Sequence, residues 1–322
     1  MTRDRCLRVL LALTAAIVLA GQASANPSFE AWVRQLRPEA TAQGVSAATF
    51  DAAFAGLQPL PRVIELYERQ PEVKLSFDEY LARVVPPTRI ERGRQLLKEN
   101  RPLLDQIGAQ YGVPSRLIVA LWGVESDYGN RQGDYNVIAA LATLSWSGKR
   151  AAFFKQELIA ALKIVDQGHA TAPTLLGSWA GALGQCQFMP SNFLRLTVDH
   201  DGDGRRDIWR SRPDVFASIA NYMNKVHWRT GQSWGREVRL PARFPVKAHA
   251  NARRKLDEWQ KLGLRRQDGG DLPTAAFTAQ LVLPQGSERA FLVYDNHRAI
   301  LAWNRSTFFA LAVGQLMDAL ED

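Results

Sequence analysis

Gly112-Val113-Pro114-Ser115 opens a helix with proline near its first turn, and Leu117, Ile118, Leu121, Val124 and Tyr128 then recur at intervals of three and four. Until Gly129 ends it, this helix is apolar but for a carboxylate near its end, so it has to be enclosed by other elements. The carboxylate is Glu125, four residues after Leu121 and seven after Ile118, which puts it on the buried face. A carboxyl group so placed either finds a partner or keeps its proton. A helix-end cap or ion pair meets that requirement, and so does a general acid that is neutral at physiological pH. Spacing alone leaves both roles open.

The rest of the chain supplies an enclosure that is mostly helical. Helices are expected over Phe29–Ala42, Ala47–Ala55, Phe77–Val85 (stopped by Pro86-Pro87), Arg89–Tyr111, Val137–Leu144 and Ala151–Val165. Another begins at Arg212-Pro213-Asp214 and runs to about His227, and a last one spans Phe308–Leu320. Pro59 and Pro61 read as an extended link. After Trp234 the pattern changes: Glu237–Leu240, Ala279–Leu283 and Arg289–Tyr294 alternate like half-buried strands, with Ala250–Leu262 helical between them. The expected organisation is an N-terminal helical part (26–110), a helical core (111–234 and 301–322) and a small β-containing subdomain (235–300) inserted before the last helix.

Residues 1–25 read as a secretory signal peptide. Arg3, Arg5 and Arg8 precede an apolar stretch from Leu7 to Ala20, and Ala23-Ser24-Ala25 offers a cleavage site. The stretch is short for a membrane-spanning helix, and no cysteine follows the cleavage site to take a lipid anchor there. The expectation is a soluble exported protein. Cys186 is then the single remaining thiol, so the core rather than a disulfide must hold the fold. It reads as a small buried hydrophobe. Of the formal charge of +8, three Arg against one Asp place +2 in residues 1–25 and leave +6. A basic exported chain suits an anionic partner such as a cell wall. Scattered Lys and Arg, with no long basic run, argue against nucleic acid.

A second stretch, Gly177-Ser178-Trp179-Ala180-Gly181-Ala182-Leu183-Gly184, is too small and glycine-rich for a packed helix face and suits close backbone approach. Gln187 follows with an amide that can both donate and accept, then Phe188 and Met189, which read as core. Glu125-Ser126-x-x-Gly129 followed by Gly184-x-x-Gln187-Phe188-Met189-Pro190 resembles the B family of lytic murein transglycosylases. So do Arg69-Gln70-Pro71-Glu72, Arg89-Ile90-x-Arg92-Gly93, Tyr111-Gly112-Val113-Pro114, Ala140-Leu141-Ala142-Thr143-Leu144 and Ala220-Asn221-Tyr222, so the likeness covers roughly residues 27–316.

The resemblance implies a mainly α, lysozyme-like core and periplasmic cleavage of the β-1,4 bond between N-acetylmuramic acid and N-acetylglucosamine. The muramyl O6 attacks C1 and leaves a 1,6-anhydro ring, with Glu125 as acid and then base. It further implies that Ser178, Gln187 and Tyr222 lie in the substrate groove, joined by Trp303, Asn304 and Phe309 from Trp303-Asn304-Arg305-Ser306-Thr307-Phe308-Phe309. The family usually has Tyr at the positions of Trp303 and Phe309; the rings remain here and the hydroxyls do not. No cofactor is required.

Asp199-His200-Asp201-Gly202-Asp203-Gly204-Arg205-Arg206-Asp207 matches the first nine positions of an EF-hand loop, with Asp199, Asp201, Asp203 and Asp207 as calcium ligands. Position 12, which should be acidic, is Arg210, so a structural calcium and a metal-free Asp/Gly turn both remain open. Peptidoglycan strands are the expected partner of a monomer, with cell-wall synthesis or division proteins as further candidates. The competing readings are a muramidase that uses water on the same scaffold and a non-catalytic wall-binding scaffold.

Overall fold

The computed structural model of the chain describes residues 27–69, 75–147, 149–249 and 252–321. The expected signal peptide and Gln70-Pro71-Glu72 lie outside the described residues. Before the site come α1 (Phe29–Ala42), α2 (Ala47–Phe54), α3 (Pro61–Glu68), α4 (Phe77–Val84), α5 (Pro87–Glu99) and α6 (Arg101–Tyr111). Then follow α7 (Ser115–Ser126), β1 (Tyr135–Asn136), α8 (Val137–Ser147), α9 (Ala151–Asp166), β2 (Leu176–Gly177), α10 (Pro190–Leu196) and α11 (Arg212–Lys225). The remainder is β3 (Gly235–Arg239), α12 (Val246–His249), β4 (Arg253–Lys255), α13 (Leu256–Lys261), β5 (Arg265–Arg266), β6 (Thr278–Val282), β7 (Ala290–Val293), α14 (Asp295–Trp303) and α15 (Thr307–Ala319). The chain is mainly α with a small sheet part, as expected.

Local chemistry explains the boundaries. Ser28, Ser46, Ser76, Ser211 and Ser306 each accept a backbone N–H from the helix they precede, and Ser76 forms a reciprocal capping box with Glu79. Three expectations need correction. Pro61 begins α3, because its fixed φ and missing N–H suit a first helical position. The stretch Arg89–Tyr111 is two helices: Asn100 bonds its side chain back to the Leu96 carbonyl, and Pro102 cannot continue the ladder. Within Ala250–Leu262, Arg253–Lys255 pairs with β6 and only Leu256–Lys261 is helical; Ala250 and Asn251 lie outside the described residues.

α7 runs through the middle of the main core, with Leu117 to Gly123 buried. α5, α6, α11 and α15 pack around it, and α8 packs on α9. The second sheet has the antiparallel order β4-β6-β7-β3-β5. One of its faces gives Phe291 and Val293 to the main core, where Phe291 meets Phe77 edge-on at 5.8 Å. Its other face holds a separate cluster of Val238, Leu256, Trp259, Leu281, Leu292 and Tyr294. Glu237 on β3 accepts both arms of Arg289, which also reaches Gln315 on α15 and ties the sheet to the last helix.

Candidate active site

α7 delivers Glu125 one residue before its end, and the exit from the helix is tightly fixed. Asp127, Tyr128 and Gly129 all have positive φ, at 53°, 58° and 86°. Two non-glycine residues in that region need outside support. Arg89 gives it by clamping Asp127 at 3.0 Å, while the Tyr128 hydroxyl donates to the Arg89 carbonyl at 2.8 Å. The Tyr128 ring lies in a slot between helices that only glycine permits: a Cβ on Gly93 would come within 2.4 Å of its oxygen, and one on Gly123 within 2.6 Å of its ring. Asp127 therefore serves the helix end and turns away from Glu125, as its offset of two residues predicts.

The Glu125 carboxyl is enclosed by protein atoms, although the residue keeps some accessible surface. Burial pushes it up to about 7, and an indole N–H from Trp303, 2.6 Å from Oε1, pulls the other way. Among the described residues no second carboxylate shifts it. The indole is held by rings: Trp303 lies 4.5 Å from Tyr222 and 5.1 Å from Phe188, centroid to centroid. The Tyr222 hydroxyl donates to the Ala302 carbonyl at 2.8 Å, securing the turn that carries Trp303.

The glycine-rich segment folds into a tight hairpin. Gly177 bridges to Leu183, and Leu183 to Phe188. A Cβ on Gly177 would meet the Ala182 carbonyl oxygen at 2.1 Å. Ser178 sits in its turn and accepts the Ala182 N–H through Oγ at 3.0 Å. Gln187 has φ 49° and donates its amide to the carbonyls of Gln132 and Gly184. Phe188 is buried while Met189 keeps part of its surface, and Cys186 is fully buried with its thiol pushed well up by desolvation.

The structure brings Glu125, Tyr222 and Trp303 together and sets Phe188 behind them. Asn304 is exposed and spends Oδ1 on the Ser306 N–H. Phe309 departs from the expected groove position: it is 5 % exposed and points into the main core from the first turn of α15. Sequence reasoning missed two residues. Tyr80 on α4 is close enough that the Glu125 charge adds to burial in raising its hydroxyl. Gln185 accepts the Trp122 indole N–H at 2.7 Å and donates to the Trp209 carbonyl, stapling α7 to the loop before α11. Gln185 lies inside the motif stretch and was legible there as a second amide; Tyr80 carried no signal beyond its helix.

In the acidic loop, Asp199, Asp201 and Asp203 bring one oxygen each within 4.8 Å of one another. Asp207 stands apart and accepts the N–H groups of Trp209 and Arg210. The fully buried Asp214 closes the loop from behind, accepting from His200 and Asp207. Three converging carboxylates fit a hard cation. The expected fourth ligand is engaged in its own turn.

No helix among the described residues is long and apolar enough to cross a membrane. The transglycosylase SLT domain model matches residues 28–318. The chain is 31 % identical over 249 residues to the membrane-bound lytic murein transglycosylase B of Escherichia coli strain K12, covering 75 % of this chain but 66 % of that protein's length. SltB3 from Pseudomonas aeruginosa, solved in complex with NAG-anhNAM-pentapeptide, superposes with a TM-score of 0.88 at 45 % identity, over 91 % of this chain and 79 % of that one. The Escherichia coli lytic transglycosylase Slt35 in complex with calcium does so with a TM-score of 0.74 at 26 % identity, over 93 % and 94 %. With nearly all of its described length matched, this chain belongs to the transglycosylase SLT domain family.

Proposed function

We propose that the chain is an exported, periplasmic lytic transglycosylase. It cleaves the β-1,4 bond between N-acetylmuramic acid and N-acetylglucosamine and leaves a 1,6-anhydromuramyl end. The observation that carries this reading is the enclosed Glu125 carboxyl, raised to about 7, with no second carboxylate among the described residues shifting it. Glycosidases that divide acid and base duties need two carboxyl groups flanking the bond. With one, the same group has to perform both. Neutral Glu125 protonates the leaving O4 of N-acetylglucosamine as the C1–O4 bond breaks. The muramyl O6 then bonds to C1, its proton returns to Glu125, and no water is consumed. The complex of SltB3 with an anhydro-muropeptide supports the same product chemistry.

Ser178, Gln187, Tyr222, Trp303 and Asn304 are the proposed groove residues, and the partner is the glycan strand, engaged by a monomer. Cell-wall synthesis or division proteins are proposed as further partners. Asp199, Asp201 and Asp203 would hold a calcium ion, whose chemistry there is structural; the calcium complex of Slt35 and the clustered oxygens support this. Arg210 in place of an acid predicts weak binding. The deciding experiment digests purified sacculi with wild type and Glu125→Gln and weighs the products. Anhydro ends from the wild type and none from a folded variant are expected. Products one water heavier would establish a muramidase, and full activity in the variant would end the reading.

A further inference from the structure

We propose that Trp303 is a positioning residue that confines the Glu125 proton to Oε2, so that one oxygen both gives and takes back the proton during cleavage. This rests on the reading of Glu125 as the acid. An indole nitrogen donates and cannot accept. With Nε1 only 2.6 Å from Oε1, the indole favours the form in which Oε1 is the carbonyl oxygen, a better acceptor than a carboxyl hydroxyl oxygen. That form carries the proton on Oε2. When that proton departs, the indole N–H becomes a charge-assisted donor to the carboxylate without any movement.

The indole is built into this position. It ends α14, its ring is held against Tyr222 and Phe188, and the Tyr222 hydroxyl fixes the preceding carbonyl. A tyrosine here, usual in the family that the sequence resembles, has a hydroxyl that can turn and accept, and so could compete for the acid's proton. The donor-only indole cannot. Among the described residues, the Glu125 charge acts on Tyr80 on α4, Tyr222 on α11 and Cys186. All three are raised from their ordinary values, so none titrates near neutrality.

Two measurements test the assignment. In nitrogen–proton NMR spectra, the indole resonance lost in Trp303→Phe is expected to shift with pH in the wild type with a midpoint near 7, and to stay fixed in Glu125→Gln. In kinetics on glycan strands, Trp303→Phe should move the alkaline limb of kcat up by about one pH unit and lower kcat about tenfold with KM little changed, since it loses one hydrogen bond to the carboxylate. Trp303→Tyr, which can donate but also accept, should restore only part of kcat. A resonance indifferent to pH, or an unmoved alkaline limb in folded Trp303→Phe, overturns the proposal. A larger effect on KM than on kcat would do so too, because it marks the ring as a sugar platform. If the resonance titrates while Glu125→Gln still cleaves, the positioning stands and the catalytic reading fails.

Discussion

Glu125 is held at a cost to the fold. Its folded value of about 7 lies above the ordinary 4.5, so the native state carries an extra proton between those pH values. The stability associated with the neutral carboxyl is complete below about 4.5 and is lost as pH rises through 7, by at most about 3 kcal/mol. Glu125→Gln should therefore melt higher than the wild type at pH 8 and nearly level with it at pH 4.5, as calorimetry at the two pH values would detect. Cleavage should decline above pH 7 as the neutral acid is titrated away. The sequence made the acid legible because a helical period puts Glu125 in line with Ile118 and Leu121. It could not reveal the hydrogen bond to Trp303, 178 residues away, since no local period connects them. Phe309 misled for the converse reason: an aromatic ring reads alike whether it lines a groove or fills a core.

Among elements, the meeting of α5, α7 and the turn after α7 decides where Glu125 points. Gly123→Ala would drive a methyl group into the Tyr128 ring, at an expected cost of about 1–3 kcal/mol. In combination with Tyr128→Leu the penalty should shrink, a non-additivity that a double-mutant cycle in urea measures. Arg89→Ala would leave Asp127 in a left-handed conformation without its clamp, and both melting temperature and kcat should fall as the end of α7 loosens. Helix ends marked by prolines, as at Pro86-Pro87 after α4 and Pro114 before α7, could be read from the chain. The break at Asn100, the short α10 and the short α14 could not, because tertiary contacts stabilise brief segments that have little periodicity of their own. The acidic loop was half legible. Its spacing marked Asp199, Asp201 and Asp203, but only the fold shows Asp207 turned into its own backbone. Millimolar calcium should raise the melting temperature slightly in the wild type and leave Asp201→Ala unaffected.

Across the whole molecule, the sheet has two allegiances, one face in the main core and one over its own cluster. Phe291 sits on the shared face against Phe77 and Trp234, and Phe291→Ala should cost about 3–5 kcal/mol and weaken sheet and helices together. A single thermal transition at a lower temperature is the expected trace; two separate transitions would show that the sheet melts alone. The alternating strands were visible in the sequence, but which face would join the helical core was not, since both faces of β7 are apolar. The acid is also assembled from distant parts of the chain. Glu125 comes from its middle, while the indole donor lies within the last twenty residues and α15, which packs on α7, follows that donor. A chain emerging N-terminus first thus carries its carboxyl long before it carries the group that orients it. The orienting hydrogen bond and the packing of α15 on α7 therefore form only after Trp303 and α15 have been made.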